Sequence, residues 1–324
     1  MTIAPEVWTA TLAALDGAPR VALSCHEGPD GDALGSMLAL GLALRARGVE
    51  VVASWSEPFI LPRHYAFLPG LDMAVAPSQF PAEPDLAIAF DAGSFNRFGS
   101  LEPNLRAARK LVVVDHHASS DHCGHVNVID ADTAASAVLV YELIQRLGVE
   151  IDRDIATCLY TGVVTDTGRF QYRNTTPDLH RMVADLLGRG VEHDAVSRAI
   201  YETHPVGYLK LAGVALDRLS VRGDAGLVWT WVTLRDLEDH GIQIEDIEAL
   251  IDLVRSVDVA DVAVLMKEQS DGRYKVSMRS KGESNVGAVC ESFGGGGHPL
   301  AAGFTSPNGD RASTIDRIVA ALSR

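Results

Sequence analysis

Three apolar runs in the first half of this chain each end abruptly in charge, and that coincidence constrains its fold more than any other feature. Val112-Val113-Val114 runs into Asp115-His116-His117, Arg20-Val21-Ala22-Leu23-Ser24 into Cys25-His26, and Leu86-Ala87-Ile88-Ala89-Phe90 into Asp91-Ala92-Gly93. Such runs suit strands buried on both faces, as in a parallel sheet. Burial gives no reason for an acid or an imidazole at the end, so the charge points to a ligand. In an open parallel sheet all strand C-termini lie along one edge, where three such ends pool their side chains in one crevice.

The pattern around these runs predicts a wound α/β sheet: strands at 20–24, 49–54, 86–90 and 111–114, a helix at 33–47, and a short strand near 126–129. A helix-rich stretch follows at 134–147, 153–163, 176–189 and 192–202, punctuated by Gly148, Gly168 and Gly190. Thr203 to Leu219, containing His204-Pro205, reads as a joining helix with Pro205 in its first turn. Strands at 227–232, 259–266 and 273–279, with helices at 234–240, 245–256, 285–293 and 312–322, make a second, smaller α/β domain. The expected division is therefore a catalytic domain at 1–202, a helical linker at 203–219 and a second domain at 220–324. A chain of 324 residues is long enough for two cores.

A net charge of -15, from 28 basic against 43 acidic residues, disfavours long nucleic acid and anionic membrane as partners. Short nucleotides are not excluded, because bound cations and a few arginines can supply the attraction. The four cysteines, at 25, 123, 158 and 290, show no CxxC and no disulfide framework. Cys123 lies near His122 and His125, but no second Cys/His pair follows at zinc-finger spacing. No basic and apolar leader opens the chain, and no apolar run reaches about 18 residues, which predicts a cytoplasmic protein.

His26, Asp30 and Asp32 fall on the turn before the 33–47 helix, with Gly28 and Gly31 relaxing the backbone. Helix capping accounts for one of these carboxylates and not for the others. Asp91 alone reads equally as a turn residue, and Asp166 in Thr165-Asp166-Thr167-Gly168 as a loop acid. Asp115-His116-His117 is more telling, since successive residues point in different directions and divide roles among metal, substrate and orientation. Together His26, Asp30, Asp32, Asp91, His116 and Asp166 offer two nitrogens and an excess of carboxylate, a donor set suited to Mn²⁺ and next to Mg²⁺. Six ligands are too many for one cation that keeps open positions. They suit a pair about 3.5–4 Å apart, bridged by a carboxylate, as in centres that cleave phosphoesters.

Near the other end, four consecutive glycines, Gly294 to Gly297, precede His298-Pro299. A flexible linker is one reading; the other is backbone N–H groups that wrap phosphate oxygens, with His298 adding a hydrogen bond. It is not a P-loop, since no Gly-Lys-Ser/Thr follows. Upstream, Arg279 ends an alternating run and is suited to a phosphate or a base, with Ser280 and Asn285 as further donors. An exposed strand arginine is the plainer alternative.

His26-x3-Asp30-x-Asp32, Asp91, Asp115-His116-His117 and Asp166 resemble the four motifs of the DHH phosphoesterase family. Phe293-Gly294-Gly295-Gly296-Gly297-His298-Pro299-x-Ala301-Ala302-Gly303 resembles its DHHA1 domain. The length and plan resemble the bacterial oligoribonuclease and 3'-phosphoadenosine-5'-phosphate phosphatase subgroup, and its actinobacterial members that also act on cyclic di-AMP. The resemblance implies a mainly parallel-sheet DHH domain joined by a helical linker to a smaller α/β DHHA1 domain, working as a homodimer. It implies one Mn²⁺ on His26, Asp30 and Asp91, and another on Asp32, Asp91, His116 and Asp166, with Asp91 as the bridge. His117 would then face the scissile phosphate and Asp115 would orient a histidine. Arg279, Ser280, Asn285, Gly295, Gly296, Gly297 and His298 would hold the nucleotide. The implied reaction is hydrolysis of short RNA and of adenosine 3',5'-bisphosphate, with cyclic di-AMP or linear pApA as the alternative principal substrate.

Overall fold

The structure, a computed structural model, describes residues 3–307 and 309–322; the outermost residues of both expected domains lie outside the described residues. The chain divides into two compact units between Thr203 and His204.

In the first unit, helix α1 (Pro5–Leu15) precedes β1 (Arg20–Cys25), α2 (Gly31–Ala46) and β2 (Glu50–Ser54). Then come β3 (Ala87–Phe90), α3 (Glu102–Arg106), β4 (Leu111–Asp115) and β5 (Val126–Ile129). Helices α4 (Ser136–Arg146), α5 (Arg153–Asp166), α6 (Pro177–Gly188) and α7 (His193–Tyr201) complete it. The five strands are all parallel, in the order β2-β1-β3-β4-β5. Alternation divides the sheet residues between two cores. Leu23, Ile88, Phe90, Val112 and Val114 pack under the helices, while Ala22, Ala87, Ala89 and Val113 pack with Phe98, Leu101 and Leu105 on the opposite face. The order reverses between β1 and β3, the switch point where open parallel sheets bind their ligands.

Helix α2 is apolar nearly all round and is buried nearly all round. A Cβ added to Gly35 would lie 2.4 Å from the Cys158 carbonyl oxygen, so α2 and α5 meet backbone to backbone there. Helix α1 is an element that hydrophobic pattern alone does not reveal. It has no side-chain N-cap, and the proline at its start is its one sequence signal.

The second unit holds α8 (Val206–Asp217), β6 (Ser220–Arg222), β7 (Leu227–Val232), α9 (Leu234–His240), α10 (Leu250–Arg255) and β8 (Val262–Glu268). It continues with β9 (Tyr274–Ser280), α11 (Val286–Ser292), β10 (Gly296–His298), β11 (Ala301–Thr305) and α12 (Arg311–Leu322). Its sheet runs β10-β11-β9-β8-β7-β6, parallel only between β7 and β8. Pro205 stands just before α8 as its N-cap and not within its first turn. Tyr208, Leu211, Ala212 and Ala215 of that helix join the core formed by Val228, Leu250 and Leu265, so α8 packs as part of the second unit. The 245–256 helix of the sequence reading is split into a 3-10 turn at Ile244–Ile247 and α10.

Candidate metal centre

The crevice at the strand ends gathers the first-unit candidates as the topology requires. His26 follows β1, Asp91 follows β3, and Asp115 ends β4 with His116 and His117 directly after it. Asp30 is the N-cap of α2, Asp32 lies in its first turn, and Asp166 is the last residue of α5.

Asp91 sits at the middle of this group, with its two carboxylate oxygens facing different ways. Oδ2 lies 3.4 Å from His26 Nε2, and Oδ1 lies 3.4 Å from His116 Nε2. Asp30 Oδ2 is 3.6 Å from the same His26 nitrogen, and Asp166 Oδ2 is 3.0 Å from His116 Nε2, with Asp32 Oδ2 at 3.8 Å. Two donor triads, His26/Asp30/Asp91 and Asp32/Asp91/His116, each have ligand atoms within 4.8 Å of one another and share Asp91. Asp91 has φ 58, a left-handed conformation in which an aspartate is tolerated far better than a bulky residue.

Backbone carbonyls fix both imidazoles. His26 Nδ1–H donates to the Glu27 carbonyl at 2.9 Å, and His116 Nδ1–H donates to that of Thr133 at 3.3 Å, so each ring turns Nε2 to the carboxylates. Asp30 caps the helix and still turns one oxygen to the cluster. Its Oδ1 accepts from the N–H groups of Asp32 and Ala33 at the start of α2, while Oδ2 faces His26.

Asp32, Asp91, His26 and His116 are all buried. Among the described residues, the ionic partners of Asp30, Asp32, Asp91 and Asp166 are histidines. Burial, and then the neighbouring Asp91 and Asp166, push the Asp32 carboxyl well above its ordinary range. Burial opposes a charge on His26, but Asp30 and Asp91 outweigh it and carry that imidazole up to about 10. Burial likewise opposes a charge on His116, and Asp166 and Asp91 reverse the effect. The raised imidazoles thus offset part of a buried negative charge that, among the described residues, pairs with no lysine or arginine. A divalent cation performs the same neutralisation through direct oxygen and nitrogen bonds, so the donor set fits the metal expected for it.

Cys123 takes no part in a cluster of this kind among the described residues. His125 Nδ1 accepts from the Leu111 N–H at 2.9 Å, a structural bond that ties β5 to β4.

In the second unit, the glycine-rich run divides: Gly294 turns out of α11 with φ 80, and Gly296 and Gly297 begin the edge strand β10. His298 pairs with Ala301, and Ala301 with Arg279, so His298 and Arg279 occupy one cross-strand row with a small residue between them. Two strand spacings put their Cα atoms about 10 Å apart on one face of the sheet. Gly295 and Gly297 are required by packing, since an added Cβ would fall 2.1 Å from the Gly303 oxygen and 2.6 Å from the Ala301 oxygen; nothing crowds Gly296. Ser280 Oγ donates to Asp261 at 3.1 Å, and Asn285 Oδ1 caps α11 through the Ala288 N–H.

Sequence reasoning overlooked Ser136 and Asn174. Ser136 reaches two of the candidate carboxylates, and Asn174 Nδ2 donates to the carbonyls of both Ala134 and Asp166. A serine beside a helix start reads as an ordinary cap, which hides the first. The Asn174 contacts span loops with no common sequence signal.

Comparison with known proteins identifies both units. Residues 20–163 match the DHH family, N-terminal domain, and residues 227–324 match the DHHA1 domain. A Thermus thermophilus protein named "Bifunctional oligoribonuclease and PAP phosphatase NrnA" is 34% identical over 93% of this chain and 88% of its own length. A Bacillus subtilis protein of the same name is 27% identical over 93% of each. The crystal structure of an exopolyphosphatase-related protein from Bacteroides fragilis superposes with a TM-score of 0.90 at 23% identity, covering 99% of this chain and 96% of that one, and so shares the fold.

Proposed function

The chain belongs to the DHH family of phosphoesterases and carries its DHHA1 domain, and from that premise we propose a manganese-dependent phosphohydrolase that cleaves very short RNA to mononucleotides and removes a phosphate from adenosine 3',5'-bisphosphate. The observation that carries the reading is the division of the Asp91 oxygens between two donor triads, an arrangement in which Asp91 would serve both of two cations. The relatives named for both activities align along nearly the whole chain, which supports this substrate pair. No helix among the described residues is long and apolar enough to cross a membrane. Cytoplasmic location and a homodimer belong to the same reading.

His26, Asp30 and Asp91 would hold one Mn²⁺, and Asp32, Asp91, His116 and Asp166 the other. Bound there, the pair supplies a water of lowered pKa and Lewis-acid stabilisation of charge at phosphorus. The protein's own part is orientation. Asp115 accepts from His117 Nδ1–H, so the nitrogen that meets a phosphate oxygen is Nε2. In the second unit, Arg279 and His298 share one row over small residues, a surface for a further phosphate or base of the nucleotide. Ser280, Asn285 and the backbone of Gly295, Gly296 and Gly297 would complete that binding surface.

The test offers pApA, adenosine 3',5'-bisphosphate, a 24-nucleotide RNA and cyclic di-AMP separately, with Mn²⁺. Turnover of the first two well above the long RNA is expected. Inactivity on both would overturn the proposal, and a kcat/KM highest on cyclic di-AMP would reassign the principal substrate.

A further inference from the structure

Resting on the reading of the cluster as a metal centre, we infer that Ser136 is a positioning residue that sets the orientation of the bridging carboxylate. Its hydroxyl donates to Asp91 Oδ1 at 3.0 Å, and its backbone N–H donates to Asp32 Oδ2 at 2.6 Å. The partners lie 45 and 104 residues away in sequence, yet one fully buried serine touches both.

The arrangement inverts ordinary helix capping. A serine at a helix start normally occupies the N-cap and bonds its own helix. Here the N-cap of α4 is Ala135, with no side-chain cap, and Ser136 is the first helical residue. Capping comes from outside: Asp32 accepts from the N–H groups of both Ser136 and Ala137, at 2.6 and 2.9 Å. That frees the Ser136 hydroxyl from its own helix and directs it to Asp91.

Asp91 needs such a restraint. The terminal torsion of an aspartate is broad, so a carboxylate facing two histidines can rotate between them. His26 lies toward one of its oxygens and His116 toward the other, both at 3.4 Å, longer than a normal hydrogen bond. The Ser136 bond is shorter and fixes which oxygen faces which triad. The segment reinforces this role, because the Thr133 carbonyl holds His116 and the Ala134 carbonyl is tied through Asn174 to the Asp166 carbonyl.

Ser136→Ala removes the hydroxyl while leaving both backbone bonds to Asp32, so its effect isolates Asp91. The experiment titrates the metal-free full chain with Mn²⁺ by calorimetry, follows spin coupling between bound ions by electron paramagnetic resonance, and measures the metal-free melting temperature. Ser136→Ala should weaken Mn²⁺ binding by about 10–100-fold and diminish the coupling at nearly unchanged melting temperature, and Ser136→Thr should restore both. Unaltered affinity and coupling in folded Ser136→Ala would overturn the inference, as would a fall in melting temperature alone. Should Ser136→Ala not fold, Ser136→Cys, with a weakly donating thiol of similar reach, is read in the same way. A wild-type chain that binds no Mn²⁺ overturns the metal reading itself together with this inference, an outcome distinct from wild-type binding that Ser136→Ala leaves intact.

Discussion

A single oxygen of Asp115 holds His117 twice: Oδ1 accepts from the His117 backbone N–H at 3.1 Å and from its ring Nδ1 at 2.7 Å. The ring is thereby fixed in both tilt and tautomer. His117→Ala is expected to lower kcat by roughly 10²–10⁴-fold while Mn²⁺ uptake persists, since this residue stands outside the proposed ligand set. Steady-state kinetics beside a Mn²⁺ titration checks this. Loss of metal equal to the loss of rate would make His117 a ligand.

Asp91 is left-handed, so its replacements separate backbone from chemistry. Asn accepts that conformation more readily than Ala does. Both Asp91→Asn and Asp91→Ala should abolish turnover, with Asp91→Ala the less stable by about 1 kcal/mol. Urea denaturation of the two metal-free variants measures the difference; equal stability would mean that the strain is relieved elsewhere.

Gly162 shows how closely the helices hold the centre. An added Cβ would come within 2.6 Å of Asp32 Oδ1 and 2.8 Å of the Ala137 Cβ. Gly162→Ala should therefore displace the Asp32 carboxylate from α4, cost about 1–3 kcal/mol and reduce Mn²⁺ affinity. Thermal melting and metal titration together report it, and an undisturbed affinity would show that α5 yields instead.

The second unit offers a pH-dependent stability of its own. Arg218 forks onto Asp236 through bonds of 2.5 and 2.9 Å, and Asp236 also closes the capping box of α9 with Thr233. The Arg218 guanidinium, and then the Thr233 donors, overcome partial burial and hold the Asp236 carboxyl well below the usual range. A depressed carboxylate contributes stability in full above its unfolded pKa, about 3.9, and loses it as pH falls toward the folded value. Asp236→Asn should cost about 1–2 kcal/mol at pH 7 and flatten the fall in melting temperature below about pH 4. A parallel acid slope in variant and wild type would place that dependence elsewhere.

What the sequence made legible was whatever its local pattern encodes. Val112-Val113-Val114 before Asp115 announces a buried strand with a functional end, and the matching ends at Cys25-His26 and Phe90-Asp91 locate the crevice. The strands at β10 and β11 escaped notice because glycine and alanine carry no strand preference, and their pairing is set by β9 beside them. Ser136 escaped for a related reason. Its hydroxyl is committed by contacts spanning 45 residues, while its neighbours suggest nothing beyond a helix start.

Helix α2 joins its proposed ligands to the most enclosed part of the first unit. Backbone amides inside such a helix exchange with solvent only through the rarest, whole-unit openings. Asp30 and Asp32 belong to the start of that helix, so the ligands anchored there share its cooperative unfolding. A distant core lesion is therefore felt at the centre as a shorter lifetime of the closed state, with coordination geometry unchanged while the unit stays folded.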